Sequence, residues 1–380
     1  MLQNKKLFPY KLRNYNFLLV IYSLALSIIG LFMVYSATSD IVLNGGLTIY
    51  AKQLLGIVIG IFCMIVISLI DYKIILRFYW VWYIANILVL LYVRYFSPIV
   101  LKGAKRWISL PGFGTIQPSE FSKIILIITF AVFLAKFKDK INNVMYLLLA
   151  ALIAAPPVLL ILLQPNLSTT IVCCSIIAFM IFIAGISYKW VIGAIGVCVA
   201  GIVGIVSLTL NGVGILEPHQ IERIVASMEP EKYPDLTYQQ RFSVMAIAGG
   251  KLNGKGLNNS TFDSVKNGNF LSEEQGDFIW AVVGEELGFI GCCVILILIL
   301  LVVVECLRIA KNSKDFSGRL MAGGIATLFA IQSFVNIGVA TLILPNTGIP
   351  LPFISSGLSS LLSSFICIGL VLNIGLQRKK

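Results

Sequence analysis

Long apolar runs separated by short polar segments make up most of this chain. Each run has about the 20 residues that an α-helix needs to cross the hydrocarbon core of a bilayer. The runs cover Phe17–Ala37, Lys52–Ile70, Phe78–Phe96, Glu120–Phe137, Val144–Leu163, Thr169–Ser187, Trp190–Leu210, Phe278–Val304, Leu320–Leu344 and Ile354–Leu376. The pattern predicts an all-α polytopic membrane protein with about ten transmembrane helices.

One long polar segment interrupts this pattern between the seventh and eighth predicted helices, from Asn211 to Asp277. It ends in Gly276-Asp277-Phe278, where an acid stands at the start of the next apolar run. A carboxylate at that place, with basic residues in the same segment, indicates a chemical site at a membrane surface. Because the chain shows no internal repeat and no low-complexity linker, we expect one membrane domain over residues 1–380 with a large outer loop at 211–277.

Composition agrees with a membrane protein and fixes its orientation. Hydrophobic residues make up 58% of the chain and charged residues 12%, whereas soluble domains carry about 25% charged residues. The net charge of +12 would suggest nucleic acid as a partner, but the basic residues cluster in short loops on one side of the predicted bundle. This distribution follows the positive-inside rule. It predicts cytoplasmic termini, an extracellular long loop and no nucleic-acid partner.

The metal-ligating residue types give no pattern of a metal site. All eight cysteines lie within or beside apolar runs, which is typical of small core residues. The only histidine is His219, which argues against a zinc site built from histidines. We therefore predict no metal-binding residues in the chain itself.

A few basic residues lie on the predicted outer side, against the positive-inside rule. Lys105 and Arg106 belong to the short loop before the fourth span, where basic residues oppose translocation. Their presence there favours anion binding. Arg223 lies in the long loop, where solvated surface charge is an equally good interpretation, because long loops translocate largely regardless of charge.

The fourth span opens with Gln117-Pro118-Ser119-Glu120 and places Lys123 one turn after Glu120. Proline suits the first turn of a helix, and an acid near that end is stabilised by the helix dipole. Ionisable side chains inside an apolar span are costly unless they pair or contact a ligand, so they indicate a functional site. The alternative is an ion pair of purely structural value.

Asp277 is the strongest candidate for a general base. With a single histidine in the chain, proton abstraction falls to a carboxylate, and this one faces the outer surface. The alternative is a helix cap, which aspartate often provides. Glu285 and Glu286 lie about 12 Å deeper at 1.5 Å per residue, and acids at that depth require partners or a polar cavity.

Three further segments break the apolar pattern. Gly249–Gly256 contains glycines and lysines but lacks the Ser or Thr and the preceding strand of a phosphate loop, so it is at most a backbone nest for an anion. Residues 164–169 and 344–357 interrupt apolar runs with proline and polar residues. Irregular backbone at that depth survives only where protein or a water-filled cavity receives its polar groups. Both are candidate walls of a central cleft, and the alternative is a rigid turn.

The ordered set of these motifs resembles the SEDS family of bacterial cell-wall proteins, which includes RodA, FtsW and SpoVE, over nearly the whole chain. The matching segments are Gly103–Ile108, Gln117–Glu120, Gln164–Leu167, His219–Ile224, Gly249–Gly256, Asp277–Ile279, Gly284–Gly288 and Pro345–Ser355. The sequence departs from the family pattern before Asp277 (Ser272 to Gly276), at Asn166 and at Ser356 to Ser359. The resemblance leaves open whether the chain serves elongation, division or sporulation.

The resemblance implies a peptidoglycan glycosyltransferase in the bacterial cytoplasmic membrane. It would polymerise lipid II, an undecaprenyl-pyrophosphate-linked disaccharide peptide, on the outer face beside a class B penicillin-binding protein. By the family's pattern, Asp277 matches the essential acid, Glu120 and Lys123 match a functional pair, and Lys105 with Arg106 matches a basic motif facing substrate. The predicted catalytic residues are Asp277, Glu120 and Lys123, and the predicted substrate-binding residues are Lys105, Arg106, Trp107, Arg223, Glu285 and Ser355.

The expected reaction is a single inverting displacement. Asp277 would accept the proton of the attacking sugar hydroxyl, and Lys105, Arg106, Lys123 and Arg223 would stabilise the pyrophosphate that leaves. A divalent cation, Mg²⁺ or Mn²⁺, bridging a carboxylate to the pyrophosphate is compatible with this chemistry, although no ligand set is evident. Two alternatives stay open at this point: a lipid II flippase, and a non-catalytic scaffold for the penicillin-binding protein.

Overall fold

The computed structural model describes residues 15–38, 48–99, 105–110, 114–193, 196, 232–258 and 274–377. Its helices are α1 (Phe17–Thr38), α2 (Ile49–Leu69), α3 (Tyr72–Arg77), α4 (Tyr79–Phe96), α5 (Pro118–Lys136), α6 (Val144–Leu163), α7 (Leu167–Ile183), α8 (Pro234–Gly249), α9 (Ile279–Lys311), α10 (Phe316–Ala340) and α11 (Leu358–Leu376). Two short strands, β1 (Ile108–Leu110) and β2 (Gly114–Ile116), pair in antiparallel fashion with Ile108 opposite Ile116.

Eight of the described helices are long and apolar enough to cross a membrane: α1, α2, α4, α5, α6, α9, α10 and α11. The apolar helix α7 is shorter, with 17 residues. These nine elements match nine of the ten predicted spans and confirm the all-α polytopic fold. The remaining prediction, Trp190–Leu210, lies mostly outside the described residues.

Five predicted boundaries are wrong by four residues or more. Helix α9 continues to Lys311, beyond the predicted Val304, while α7 ends at Ile183 instead of Ser187 and α10 begins at Phe316 instead of Leu320. The other two lie next to the segment 344–357. The helix predicted to reach Leu344 ends at Ala340, and the last helix begins at Leu358 rather than Ile354. Proline lacks a backbone N–H and cannot continue the helical ladder, and the intervening segment contains three prolines. The side chains of Gln240 and Ser243 in α8 donate instead to the last carbonyls of α10, at Val339 and Ala340.

Helices α5, α10 and α11 form the interior of the bundle, and the other spans surround them. About four fifths of the apolar window in each of these three helices is buried, against no more than 39% in the other spans. Small residues let the surrounding helices approach closely, as is usual in membranes. A Cβ at Gly60 of α2 would lie 2.3 Å from the ring of Phe365, and one at Gly30 of α1 would lie 2.6 Å from the backbone of Ile354.

A polar clamp fixes the end of the bundle opposite Asp277. The hydroxyl of Tyr72 donates to Asp315, which also caps the first turn of α10. Asn373 of α11 accepts the backbone N–H of Tyr72 and donates to the carbonyl of Ser68. These bonds join α2, α3, α10 and α11, and so fix the register of the two helices on either side of the segment 344–357.

Candidate functional site

Asp277 lies half-buried directly before α9, where it contacts the segment that links α10 to α11. A Cβ built at Gly348 would lie 2.9 Å from Oδ2 of Asp277, so the carboxylate packs against this glycine. The N-cap of α9 is Phe278, without a side-chain cap. Asp277 therefore stands one residue before the N-cap position of α9.

We call residues 345–357 the Gly348 loop. Ser355 connects this loop to the segment before α9, because its Oγ accepts the N–H of Leu351 and donates to the carbonyl of Gly276, both at 2.7 Å. The N–H of Ser356 donates to the carbonyl of Gln275 at 2.7 Å. Ser355, predicted as a substrate-binding residue, thus ties two backbone segments together beside the acid.

Two side-chain amides of α10 donate hydrogen bonds to the Gly348 loop and to Asp277. Asn336 Nδ2 donates to the carbonyl of Asp277 at 2.9 Å and to that of Ile349 at 2.7 Å. Gln332 Nε2 donates to the carbonyl of Pro350 at 2.9 Å. Neither residue was predicted from the sequence, although two amides four positions apart inside an apolar run are a usable signal of a polar contact within a membrane bundle.

Glu120 and Lys123 form a buried ion pair in the first turns of α5. Lys123 is 1% exposed, and its Nζ donates to Glu120 Oε1 at 2.8 Å and to Gln332 Oε1 at 2.7 Å. Glu120 Oε2 is buried, and no residue in the described ranges donates a hydrogen bond to it. The predicted pair is therefore joined, through Gln332, to the same loop that contacts Asp277.

The two basic residues of the predicted motif, Lys105 and Arg106, make different contacts. The guanidinium of Arg106 donates to the carbonyl of Gln164 at 2.8 Å and also to that of Pro165, and so anchors the turn between α6 and α7. Lys105 is half-buried and makes no hydrogen bond or ion pair with any residue of the described ranges. The carbonyl of Trp107 accepts a hydrogen bond from Ser97, which fixes the strand that follows.

The two candidate walls of the cleft meet in the structure. Ser168, at the start of α7, donates its hydroxyl to the carbonyl of Thr347 in the Gly348 loop at 2.5 Å. Asn166 caps α7 by accepting the N–H of Thr169. Both segments thus belong to one end of the bundle, which we call the Asp277 end.

The glycine-rich segment 249–256 is not an anion nest, and that expectation is wrong. Helix α9 is broken at Gly288, which has φ 64°. The N–H groups of Lys255 and Gly256 donate to the carbonyls of Glu285 and Glu286, and the N–H of Phe289 donates to the carbonyl of Lys251. The segment closes the break with its own backbone, so those amides are already used.

The two acids near this break have partners, as their depth required. Lys255 Nζ donates to Glu285 Oε1 at 2.8 Å. Glu286 Oε1 accepts a hydrogen bond from the hydroxyl of Ser36 in α1. Glu285, predicted to bind substrate, is placed in an ion pair with the glycine-rich segment, and its substrate-binding role stays a prediction.

Two predicted features of the long loop cannot be placed. Arg223 and His219 lie outside the described residues. Within the ranges that the structure covers, no group of three or more His, Cys, Asp and Glu side chains is arranged to hold a metal ion. The chemistry of the described site rests on a half-buried carboxylate, a buried acid–base pair and a half-buried lysine.

The chain is similar to known proteins over most of its length. A family model described as "Cell cycle protein" and labelled FTSW_RODA_SPOVE matches residues 16–380. The chain is 35% identical over 374 residues to a "Probable peptidoglycan glycosyltransferase FtsW" of Trichlorobacter lovleyi, covering 96% of this chain and 94% of that one. It is 35% identical over 372 residues to the "Stage V sporulation protein E" of Bacillus subtilis, covering 94% and 96%.

Solved structures share the fold. A chain from a structure described as "Structural coordination of polymerization and crosslinking by a peptidoglycan synthase complex" superposes with a TM-score of 0.78 at 26% identity, covering 95% of this chain and 97% of that one. The rod shape determining protein RodA of Thermus thermophilus superposes with a TM-score of 0.69 at 24% identity, covering 96% and 98%.

Proposed function

The chain belongs to the FtsW, RodA and SpoVE family and is a peptidoglycan glycosyltransferase, and we propose that it polymerises lipid II at the outer membrane surface with Asp277 as general base. The observation that carries this proposal is the placement of Asp277, half-buried at the end of the bundle and packed against Gly348. Its partial exposure supports access of the carboxylate to a substrate anchored in the membrane.

The proposed step is one displacement at the anomeric carbon of a lipid-linked sugar. The hydroxyl oxygen of a second lipid-linked sugar forms the new bond to that carbon, and its proton passes to Asp277. The bond from the carbon to the pyrophosphate oxygen breaks, and the polyprenyl pyrophosphate leaves with the electron pair. A carboxylate is suited to this role because it is ionised near neutral pH and needs only to accept one proton.

The leaving group gains negative charge, so a cation beside it lowers the barrier. Lys105 is the best-supported candidate, since it makes no bond to any described residue. Arg106 already binds two carbonyls and Lys123 is buried against Glu120. We assign Arg106 to holding the cleft wall and the Glu120–Lys123 pair to its buried floor.

The topology and the partner complete the proposal. The positive-inside distribution supports cytoplasmic termini and an outer Asp277 end. One structural neighbour is described as part of a complex that couples polymerisation to crosslinking. That likeness supports a class B penicillin-binding protein as the partner that crosslinks the glycan.

The decisive experiment is polymerisation of purified lipid II by the detergent-solubilised protein, alone and with a class B penicillin-binding protein. We expect Asp277→Asn to lower kcat by about 10²- to 10⁴-fold, the range for loss of a general base. Asp235→Asn, which changes an exposed acid in the first turn of α8, should match the native chain. Equal glycan from Asp277→Asn and the native chain would refute the assignment.

The same assay separates the rival functions. A native chain that makes no glycan but moves lipid II across vesicles would be a flippase, and one that only binds the penicillin-binding protein would be a scaffold. Adding Mg²⁺, Mn²⁺ or a chelator tests the divalent cation. Dependence on the cation would support its role at the pyrophosphate, and equal rates in all three conditions would oppose it.

A further inference from the structure

Gln332 and Asn336 are two buried amides one turn apart on α10, a helix that spans the membrane. Each is at most 3% exposed. Polar side chains inside a bundle are costly unless they carry a specific contact. They donate to the backbone carbonyl of Asp277 and to two carbonyls of the Gly348 loop, which gives them a role beyond packing.

Asn336 bonds both to Asp277 and to the residue after Gly348. Its Nδ2 donates to the carbonyl of Asp277 at 2.9 Å and to that of Ile349 at 2.7 Å. The carboxylate of Asp277 packs on Gly348 itself. This amide group therefore joins the backbone of the proposed base directly to the loop that contacts its carboxylate, beside the bonds made by Ser355 and Ser356.

Gln332 extends this connection to the buried ion pair. Its Oε1 accepts from Lys123 Nζ at 2.7 Å, while its Nε2 donates to the carbonyl of Pro350 at 2.9 Å. Pro350 follows Ile349 directly. The Glu120–Lys123 pair and Asp277 are thus linked through two amides on one face of α10 and through adjacent carbonyls of one loop.

We propose that Asn336 is the positioning residue for Asp277, and that Gln332 holds the Glu120–Lys123 pair in register with it. This inference rests on the proposed function, since it takes Asp277 as the base. Without the amide, the carbonyls of Asp277 and Ile349 lose this donor, and the segment before α9 stays tied to the Gly348 loop only through the bonds of Ser355 and Ser356 to Gly276 and Gln275. A shift of about 1 Å in a catalytic group can cost about 100-fold in rate.

Gln240 of α8 provides a matched control. Its Nε2 also donates to two backbone carbonyls, those of Val339 and Leu344, at 2.8 Å each. It is buried to the same degree, but neither carbonyl belongs to Asp277 or to a residue next to Gly348. Comparing Asn336→Leu with Gln240→Met therefore removes the same kind of contact with and without the proposed effect on the base.

The experiment measures kcat and KM on purified lipid II together with hydrogen–deuterium exchange of the folded protein. We expect Asn336→Leu to lower kcat by about 10- to 100-fold with less than about 3-fold change in KM, as expected for loss of transition-state alignment. Exchange should rise in residues 275–278. Gln240→Met should change neither kcat nor exchange at 275–278. Should Asn336→Leu fold poorly, Asn336→Ser, which keeps one donor, should give a smaller kcat loss of the same kind.

Equal kcat losses in the Asn336 and Gln240 variants would overturn the inference, as would unchanged exchange at 275–278 in the Asn336 variants. A native chain that makes no glycan would refute the proposed function instead. In that case the exchange result still decides whether Asn336 holds the Asp277 segment.

Discussion

The break in α9 and the Gly348 loop are both irregular backbone inside the bundle, but different groups satisfy their polar atoms. At the break, the segment 249–256 exchanges hydrogen bonds with α9 through main-chain N–H and C=O groups on both sides. In the Gly348 loop, the side chains of Ser168 and Asn336 donate to main-chain carbonyls and that of Ser355 accepts a main-chain N–H, in addition to a few main-chain bonds. Backbone at this depth must be satisfied internally, and the two regions show two ways of doing so.

The difference predicts different consequences of mutation. A break closed by backbone depends on glycines that allow two segments of the chain to approach closely. Substitutions of these glycines should therefore lower stability without changing kcat. A loop held by side chains can be shifted by a single substitution without unfolding the bundle. Substitutions in the two regions and in the buried ion pair therefore test this contrast.

The largest effect should come from breaking the buried ion pair. Lys123→Met leaves Glu120 as a buried acid without its cation, and loss of one partner of a buried pair costs about 3–5 kcal/mol. The free energy of unfolding in detergent should fall by that amount. The double variant Lys123→Met with Glu120→Gln should recover most of it, and equal stability of the single variant and the native chain would contradict the prediction.

The next effect tests the α9 break. A Cβ at Gly250 would lie 1.9 Å from the carbonyl oxygen of Gly284, which is main chain and cannot move aside cheaply. We expect Gly250→Ala to lower the free energy of unfolding by about 3 kcal/mol, at the upper end of the usual cost of overpacking, with kcat of the folded fraction unchanged. Gly249→Ala is the control, because a Cβ there meets only the end of the Lys255 side chain at 3.4 Å.

Sequence alone predicted the helices well because span length and hydrophobicity are set locally. Nine of the ten predicted spans coincide with described helices, and two of the wrong boundaries flank the Gly348 loop. There the sequence remains apolar while proline and side-chain hydrogen bonds end the helix. The boundary depends on Gln240 and Ser243, which lie about 100 residues earlier in the chain, so a local pattern could not give it.

The sequence predicted which residues belong to the site better than it predicted what those residues contact. Charged residues in apolar runs identified Glu120, Lys123 and Glu285, and the structure gives each a charged partner. The partner of Glu285 is Lys255, from a segment that resembled an anion nest, because sequence cannot tell whether free backbone amides meet a ligand or another chain segment. The amides of α10 were missed since uncharged polar residues give a weaker signal.

A smaller effect is expected at Gly348, where comparison with a second glycine distinguishes backbone strain from displacement of the Asp277 carboxylate. Gly348 has φ 62°, so an alanine there costs about 1 kcal/mol in backbone strain, and its Cβ would lie 2.9 Å from Asp277 Oδ2. We expect Gly348→Ala to lower kcat about 10-fold by moving the carboxylate. Gly256→Ala has similar strain at φ 91° with no atom within 4 Å of its Cβ, and it should lose stability without losing kcat. Equal kcat in both variants would mean that the contact with Asp277 is not functional.

The smallest effect compares one lysine from each region. Lys105→Gln removes a cation that bonds to no described residue, so stability should be unchanged while kcat/KM for lipid II falls about 10-fold, which corresponds to about 1.4 kcal/mol of transition-state stabilisation. Lys255→Gln should behave in the opposite way. Its side chain is 23% exposed and pairs with the buried Glu285, so the variant should lose about 1 kcal/mol of stability after allowance for solvent screening and keep its kcat/KM. If instead Lys255→Gln lowers kcat/KM at unchanged stability, the α9 break belongs to the substrate site, and the substrate-binding role predicted for Glu285 is supported.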